Sequence, residues 1–369
     1  MDNTTKTTVS SGNTSPSYAK SRCYLPAEWH PQTCVQLTWP TAQTDWADTL
    51  DEVVVCYRQM VTLISRYEQV ILLAHNPSAV AATLDASVRD HVTLLACPYN
   101  DTWVRDYAAL TCIDNGHPVL HHFRFNGWGG KFPADLDNNT HHHIRPFLKG
   151  YYQKATGVMA FATKDEEDFV LEGGSIDTNG KGTLIATTSC LLHPNRNPHL
   201  TPAQIEKQLL QSLHCQRILW LHHGQLEGDD TDGHVDTLAR FCPDDTIAYT
   251  QCQDPEDTHF EELNAMEKEL QAFRTTDGKP YRLLPLPLPR AIFDKQGNRL
   301  PATYTNFLIL NGAVLLPVYG QPDLDALAEK QLQQAFPDRT ILPLDARALI
   351  VQRGSVHCAT MQYPLVSEE

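Results

Sequence analysis

Between Glu227 and Asp236 the chain carries five carboxylates in ten residues, and His234 sits among them in the run Asp232-Gly233-His234-Val235-Asp236. Carboxylates beside an imidazole are expected to raise its pKa and keep a proton available for a departing amine. Far along the chain, Gly354-Ser355-Val356-His357-Cys358 offers a sulfur nucleophile after a glycine-led turn. His357 is a poor base for its neighbour, because successive side chains on an extended segment point to opposite faces. The partner of Cys358 must come from elsewhere, and His234 is the natural choice. Two more carboxylates stand in unusual settings. Asp106 follows Trp103-Val104-Arg105 ahead of an apolar run, and Glu172 ends the strand-like Phe169-Val170-Leu171 against a glycine pair. A carboxylate with no side chains crowding it suits close approach of a ligand. The segment from Phe125 to Lys131, with Trp128 between glycines, reads as a pocket wall or as a flexible turn. Thiol, imidazole and carboxylates together suit attack on a resonance-stabilised cation such as a guanidinium, whose planar donors match carboxylate oxygens in pairs.

Short elements must position these groups. Strands are predicted over 33–38, 69–73, 91–96, 119–125, 183–187, 217–221, 246–250, 307–310 and 313–318, most of them continuous in Val, Ile and Leu as strands buried on both faces are. The clearest helix follows Thr201, which with Gln204 makes a capping box ahead of Pro202 and an apolar face of Ile205, Leu209, Leu210 and Leu213. Others are predicted over 52–64 and from Asp323 to a stop at Pro337. The Pro-rich stretch 284–289 reads as a loop between units. The fold class is α/β with mixed short strands: residues 1–20 form a flexible tail rich in Thr and Ser, and 21–369 a single catalytic domain. No G-x-G-x-x-G or Walker loop follows a strand, so no nucleotide is indicated.

Composition narrows the function further. A formal charge of −15 argues against nucleic acid and favours cationic substrates. No run approaches the ~20 apolar residues of a membrane span. Ten cysteines lie scattered without a C-x-x-C pair, as small core residues do in a reducing compartment, and the cytoplasm is the expected location. The paired histidines His121-His122 and His222-His223 and the run His141-His142-His143 read as surface or structural, since adjacent side chains diverge.

Eight segments in one order carry a resemblance: Leu25 to Trp29 with Thr38-Trp39-Pro40, Asn100 to Asp106, Phe123 to Gly130, Leu171 to Ser175, Asn195 to Pro198, Asp229 to Asp236, Tyr304 to Phe307, and His357-Cys358. Together they resemble the agmatine deiminase branch of the guanidine-modifying (pentein) superfamily, close to the bacterial peptidylarginine deiminase-like proteins. The resemblance implies a pentein α/β-propeller of five ββαβ-like units around a pseudo-fivefold axis. It implies Cys358 as nucleophile, His234 as general acid and base, and Asp106, Glu172 and Asp236 as the grip on the guanidinium. Trp103, Trp128 and Asp229 are the further candidate substrate contacts. The implied reaction is hydrolysis of agmatine to N-carbamoylputrescine and ammonia through an amidino-cysteine, a step of putrescine synthesis, with no cofactor and no metal. A small cationic guanidine is the expected partner, and a homodimer fits the family. Protein positive charge near Cys358 looks sparse, so the bound cation is expected to help stabilise the thiolate. Where the family carries a run of glycines before the nucleophile, this chain has Arg353-Gly354-Ser355.

Other readings use the same residues. Peptidylarginine or free arginine would need a cation for its carboxylate, and Arg124 or Lys131 could supply one, whereas agmatine needs an acidic far end such as Glu28 or Asp229. Asp232-Gly233-His234-Val235-Asp236 also fits the D-x-H-x-D pattern of dimanganese ureohydrolases, but the S-x-D-x-D cluster those enzymes carry is missing. A guanidinium-binding module without turnover would not need Cys358, His234 and three carboxylates together.

Overall fold

Continuous apolar runs become strands with no solvent face. In the strand Gln69–Ala74, Val70, Ile71, Leu72 and Leu73 are wholly buried, flanked in parallel by Gln32–Thr38 and Val92–Ala96. The computed structural model describes residues 23–157 and 161–366. The tail expected over 1–20 lies outside the described residues. No described helix is long and apolar enough to cross a membrane.

One motif accounts for the architecture. A short strand pairs antiparallel with the next, a helix crosses over, and a third strand returns parallel to the second. This occurs with Leu110–Asp114, His117–Arg124 and Ala162–Val170. It recurs with Ile176–Thr178, Thr183–Thr187 and Arg217–Leu221, and with Ala239–Cys242, Thr246–Gln251 and Arg282–Pro287. A fourth set is Leu308–Leu310, Ala313–Val318 and Thr340–Asp345. The fifth closes the ring: the last described strand, Met361–Pro364, pairs antiparallel with Gln32–Thr38, which pairs in parallel with Gln69–Ala74. Five separate sheets in five ββαβ units around a pseudo-fivefold axis are the expected propeller.

The helices cover the sheets. Pro202–Ser212 begins with the expected capping box, both of its hydrogen bonds being present at Thr201 and Gln204. Leu50–Ile64 and Pro322–Ala335 also lie where expected. The stretch 284–289 differs. Most of it belongs to the strand Arg282–Pro287 at the edge of its sheet, where proline can sit because no further strand asks for its missing N–H. His141, His142 and His143 lie not on a strand but in the helix Asp135–Thr156, which continues through Pro146.

What the motif does for function is set by its entrances. Asp106 closes the turn just before Leu110–Asp114, Glu172 and the glycine pair lead into Ile176–Thr178, and His234 and Asp236 into Ala239–Cys242. Asn306 leads into Leu308–Leu310, and His357-Cys358 into Met361–Pro364. Each unit thus presents the segment before its first strand to the common axis.

Candidate active site

Asp106, Asp236 and Cys358 line one cleft of about 540 Å³, together with Trp103, Trp128 and Asp229. His234 lies immediately behind it, without exposed surface, its Nδ1 3.7 Å from Asp106 Oδ1. Glu172 does not line the cleft; it is buried beside His234, its Oε1 accepting from Arg196 Nε at 2.8 Å. Arg196 also pairs with Asp232 and donates to the Thr231 carbonyl at 3.0 Å, which fixes the acidic loop ahead of His234.

Cys358 is held by a residue that sequence reasoning quoted but gave no role. Asn306 Oδ1 accepts from the backbone N–H of His357 at 3.0 Å and of Cys358 at 3.3 Å, and its Nδ2 stands 3.2 Å from Cys358 Sγ. The thiol lies 3.6 Å from Asp236 Oδ2. Trp128 adopts φ 53° and ψ 47°, which aims its Nε1 at Asp106 Oδ2, 2.9 Å away. Trp103 packs against Gly354, where any side chain would collide with its ring. Gly174 lies against the polar groups of the site themselves. Its N–H donates to Asp106 Oδ1 at 3.0 Å, and a Cβ there would lie 2.7 Å from His234 Nδ1 and 3.0 Å from Asp236 Oδ2. Gly174→Ala is therefore expected to push these groups aside and lower turnover, by up to about 100-fold where the displacement nears ~1 Å. A matched melting curve checks that the fold survives; turnover within threefold of the parent would show that the spacing is not critical.

His357 and Cys358 do face opposite ways. Cys358 enters the cleft, while His357 faces a second cavity of about 570 Å³ bounded by Glu28, Arg105 and Asp177. His357 Nδ1 contacts Asp236 Oδ2 and Nε2 contacts Glu28 Oε2, each at 2.8 Å, so only a ring carrying both protons satisfies both contacts. Glu28 also accepts from Arg240 Nη2 at 2.7 Å, and Arg240 Nε reaches Asp177 at 3.2 Å. Positive charge behind Cys358 is thus not sparse: Arg105, Arg240 and His357 were hidden because their partners lie far off in sequence. Glu28 belongs to this layer rather than to the far end of the cleft. Neither Arg124 nor Lys131 lines the cleft; Lys131 pairs with Asp232.

The electrostatics follow from burial. Burial pushes the Cys358 thiol well above its ordinary value, and Asp236 and Asp106 push the same way. Asp106 is raised by burial and by Asp236. Asp236 stays below the usual carboxylate range because His357 outweighs its burial. For His234 the expected direction reverses. The carboxylates do favour its charged form, but burial dominates, with Arg196 adding to it, and lowers the pKa to about 3. Without substrate the cleft therefore holds a neutral imidazole, a neutral thiol and an excess of carboxylate oxygens. Asp236 Oδ1, buried and without a hydrogen-bond partner, is one of these. A planar cation between Asp106 and Asp236 would offset their charge beside a sulfur.

The cleft mouth holds Asp45, Asp101, Asp230 and Arg353 beside Asp229. Asp229 is consumed by its own loop, accepting from Thr231 Oγ1 and from the N–H groups of Thr231 and Gly233. Arg353, at φ 68° in the left-handed region that favours glycine, is held by Asp230 Oδ2 at 2.8 Å and the Gly228 carbonyl at 2.8 Å. It ties the nucleophile loop to the acidic loop.

Residues 24–364 match the family model described as Porphyromonas-type peptidyl-arginine deiminase. An agmatine deiminase of Stutzerimonas stutzeri is 31% identical, the match covering 92% of this chain and 95% of the relative. A solved structure from Porphyromonas gingivalis, provisionally described as an arginine deiminase, is 45% identical with a TM-score of 0.86, covering 93% and 98% of the two chains. A C. jejuni agmatine deiminase, a cysteine-to-serine variant with substrate bound, is 35% identical with a TM-score of 0.82, covering 92% and 96%.

Proposed function

Because the chain belongs to the Porphyromonas-type peptidyl-arginine deiminase family, we propose that it is a hydrolase of linear amidines, a deiminase, and that agmatine is its substrate. The observation that carries the chemistry is the shared cleft of Cys358, Asp106 and Asp236 with His234 behind it. The proposed course is as follows. The guanidinium lies flat between Asp106 and Asp236, which offset its charge and orient its central carbon toward Cys358 Sγ. As the sulfur attacks, the thiol proton passes to His234 and from there to the leaving nitrogen, and ammonia departs. Water then adds to the cysteine-bound amidino carbon, His234 taking its proton. Collapse breaks the C–S bond and releases the ureido product; the hydroxyl proton returns to the departing sulfur, and His234 gives its proton to solvent. His357, Asn306 and Glu28 act as positioning residues, through Asp236 and the nucleophile loop. A single catalytic unit over 21–369, cytoplasmic and without a cofactor, completes the proposal.

Agmatine is favoured by the cleft lining, where Asp45 and Asp101 stand beside Asp229, held by its own loop, and Asp230, paired with the one cation there, Arg353. A protonated amine fits there better than a carboxylate. The second reading, free arginine or peptidylarginine, rests on Arg353 itself, the only cationic side chain lining the described cleft, and on the arginine deiminase-like neighbour. Mass spectrometry of products from an equimolar mixture of agmatine, arginine and a capped peptidylarginine decides between them. N-carbamoylputrescine is the expected product; citrulline or peptidylcitrulline as the main product would overturn the substrate and direct attention to Arg353.

The raised thiol has a direct test. An inert guanidinium compound should lower the Cys358 pKa by neutralising Asp106 and Asp236, so thiolate absorbance should appear at lower pH once it binds. The same titration on Cys358→Ser separates this signal from the other nine cysteines. A pH profile unmoved by the ligand would exclude substrate-assisted ionisation.

A further inference from the structure

Cys190 has no part in the proposed reaction, yet its sulfur lies next to the group that has the largest part. Among the described residues, one set of His, Cys, Asp or Glu side chains brings three donor atoms within 4.8 Å of one another: Glu172, Cys190 and His234. The set is only partly engaged, Arg196 taking Glu172 Oε1 alone. Glu172 Oε2 and both ring nitrogens of His234 lack a hydrogen-bond partner, and both side chains are wholly buried. One oxygen, one sulfur and one imidazole nitrogen are a donor set for a borderline-soft divalent ion, with ligand distances near 2.0 to 2.3 Å that a small closure of the three would reach.

We infer that Glu172, Cys190 and His234 form an inhibitory site for a thiophilic divalent cation such as Zn²⁺, separate from the nucleophile Cys358. Charge favours it. With the Cys190 thiol ionised, Glu172, Cys190, Asp229 and Asp232 carry four negative charges against the two positive charges of Arg196 and Lys131, and a divalent ion offsets the difference. Binding releases the Cys190 proton, so affinity rises with pH. Burial also raises the pKa of this thiol, which keeps it protonated and unreactive until a metal arrives. The ion ties up the His234 nitrogen that would otherwise move protons, so it stops turnover. That consequence rests on the role proposed for His234; the binding itself does not.

Cobalt(II) is the probe, titrated into chelator-treated full-length protein without substrate. In Cys358→Ala, which lacks the alternative active-site thiolate, a sulfur-to-cobalt charge-transfer band with tetrahedral d–d absorption is expected. The band should vanish in Cys358→Ala/Cys190→Ser. Its persistence in the double variant, or its absence in the parent, overturns the site, whatever the substrate proves to be. On the otherwise unaltered enzyme, Zn²⁺ should inhibit reversibly to chelator, and Cys190→Ser should keep its metal-free turnover while resisting Zn²⁺ by at least about 10-fold, the loss seen even for an outer partner of a metal ligand. Cys190→Ala serves if the serine hydroxyl disturbs the core. Unchanged Zn²⁺ sensitivity in both variants would place the inhibitory ion elsewhere.

Discussion

Replacing Cys358 with alanine is expected to lower guanidine turnover by about 10⁴-fold or more, the scale on which removal of an attacking side chain acts. The reason is electronic rather than positional. A guanidinium carbon is a poor electrophile, and Asp106 and Asp236 offset its charge instead of activating it, so attack depends on a soft, polarisable nucleophile. Nothing else in the cleft offers one. The fold should be almost indifferent to the change. The thiol lines a cleft, it lies near two carboxylates, and its loss leaves the backbone bonds to Asn306 in place, so stability should move by no more than about 1 kcal/mol. Intact-protein mass spectrometry after an acid quench adds an independent readout. The parent should show a fraction carrying one amidino adduct during turnover, and Cys358→Ala none. Residual turnover above about one per cent would mean that a water molecule, not the sulfur, attacks the carbon.

Which of these groups could be read from sequence depended on how sharply each broke its surroundings. Asp106 and Glu172 are charges at the edges of apolar runs, and His234 lies in an acidic loop that enters a buried strand, so local contrast exposed them. Asn306 had no such contrast: an asparagine beside Phe307 looks like a turn residue, and its partners His357 and Cys358 lie about fifty positions away. Arg240 did leave a trace, a lone cation in Leu238-Ala239-Arg240-Phe241, but its partner Glu28 is 212 residues distant. The central strands were legible because burial on both faces makes them uniformly apolar. Edge strands were not: Ala162–Val170 is charged because most of it is solvated, and Arg282–Pro287 carries prolines that only an edge accepts. Fivefold repetition was invisible to periodicity for a related reason. What the units share is backbone pairing, and the segments before their first strands have diverged to supply different groups to one axis.

The same distant pairing makes Arg240 the most costly side chain to remove. Arg240 is wholly buried, bonds Glu28 and Asp177, donates to the Phe307 carbonyl at 2.9 Å, and lies 4.9 Å over the Phe307 ring. Arg240→Leu keeps much of the volume but leaves two buried carboxylates short of a cation. Breaking a buried pair from one side costs about 3–5 kcal/mol, read as a fall in the urea midpoint. The surface pair of Arg290 and Asp323 has equally short contacts, yet both side chains are more than half exposed, and Arg290→Ala should leave the urea midpoint almost unmoved. The pH dependence should also change sign. In the parent, Glu28 is held well below its ordinary value, with Arg240 and His357 outweighing burial, so its contribution is present above the unfolded carboxylate range and is lost as pH falls. In Arg240→Leu, burial with less compensation raises Glu28 above its unfolded value and pushes Asp177, already raised by burial in the parent, further up. The folded state then takes up protons first, so lowering the pH stabilises the variant relative to the parent. The gap between the two proteins should therefore narrow from pH 8 toward pH 5. A constant gap would assign the loss to packing against Phe307 rather than to charge. Because His357 joins Glu28 to Asp236, the variant should also lose turnover at pH 8, where both proteins are still folded.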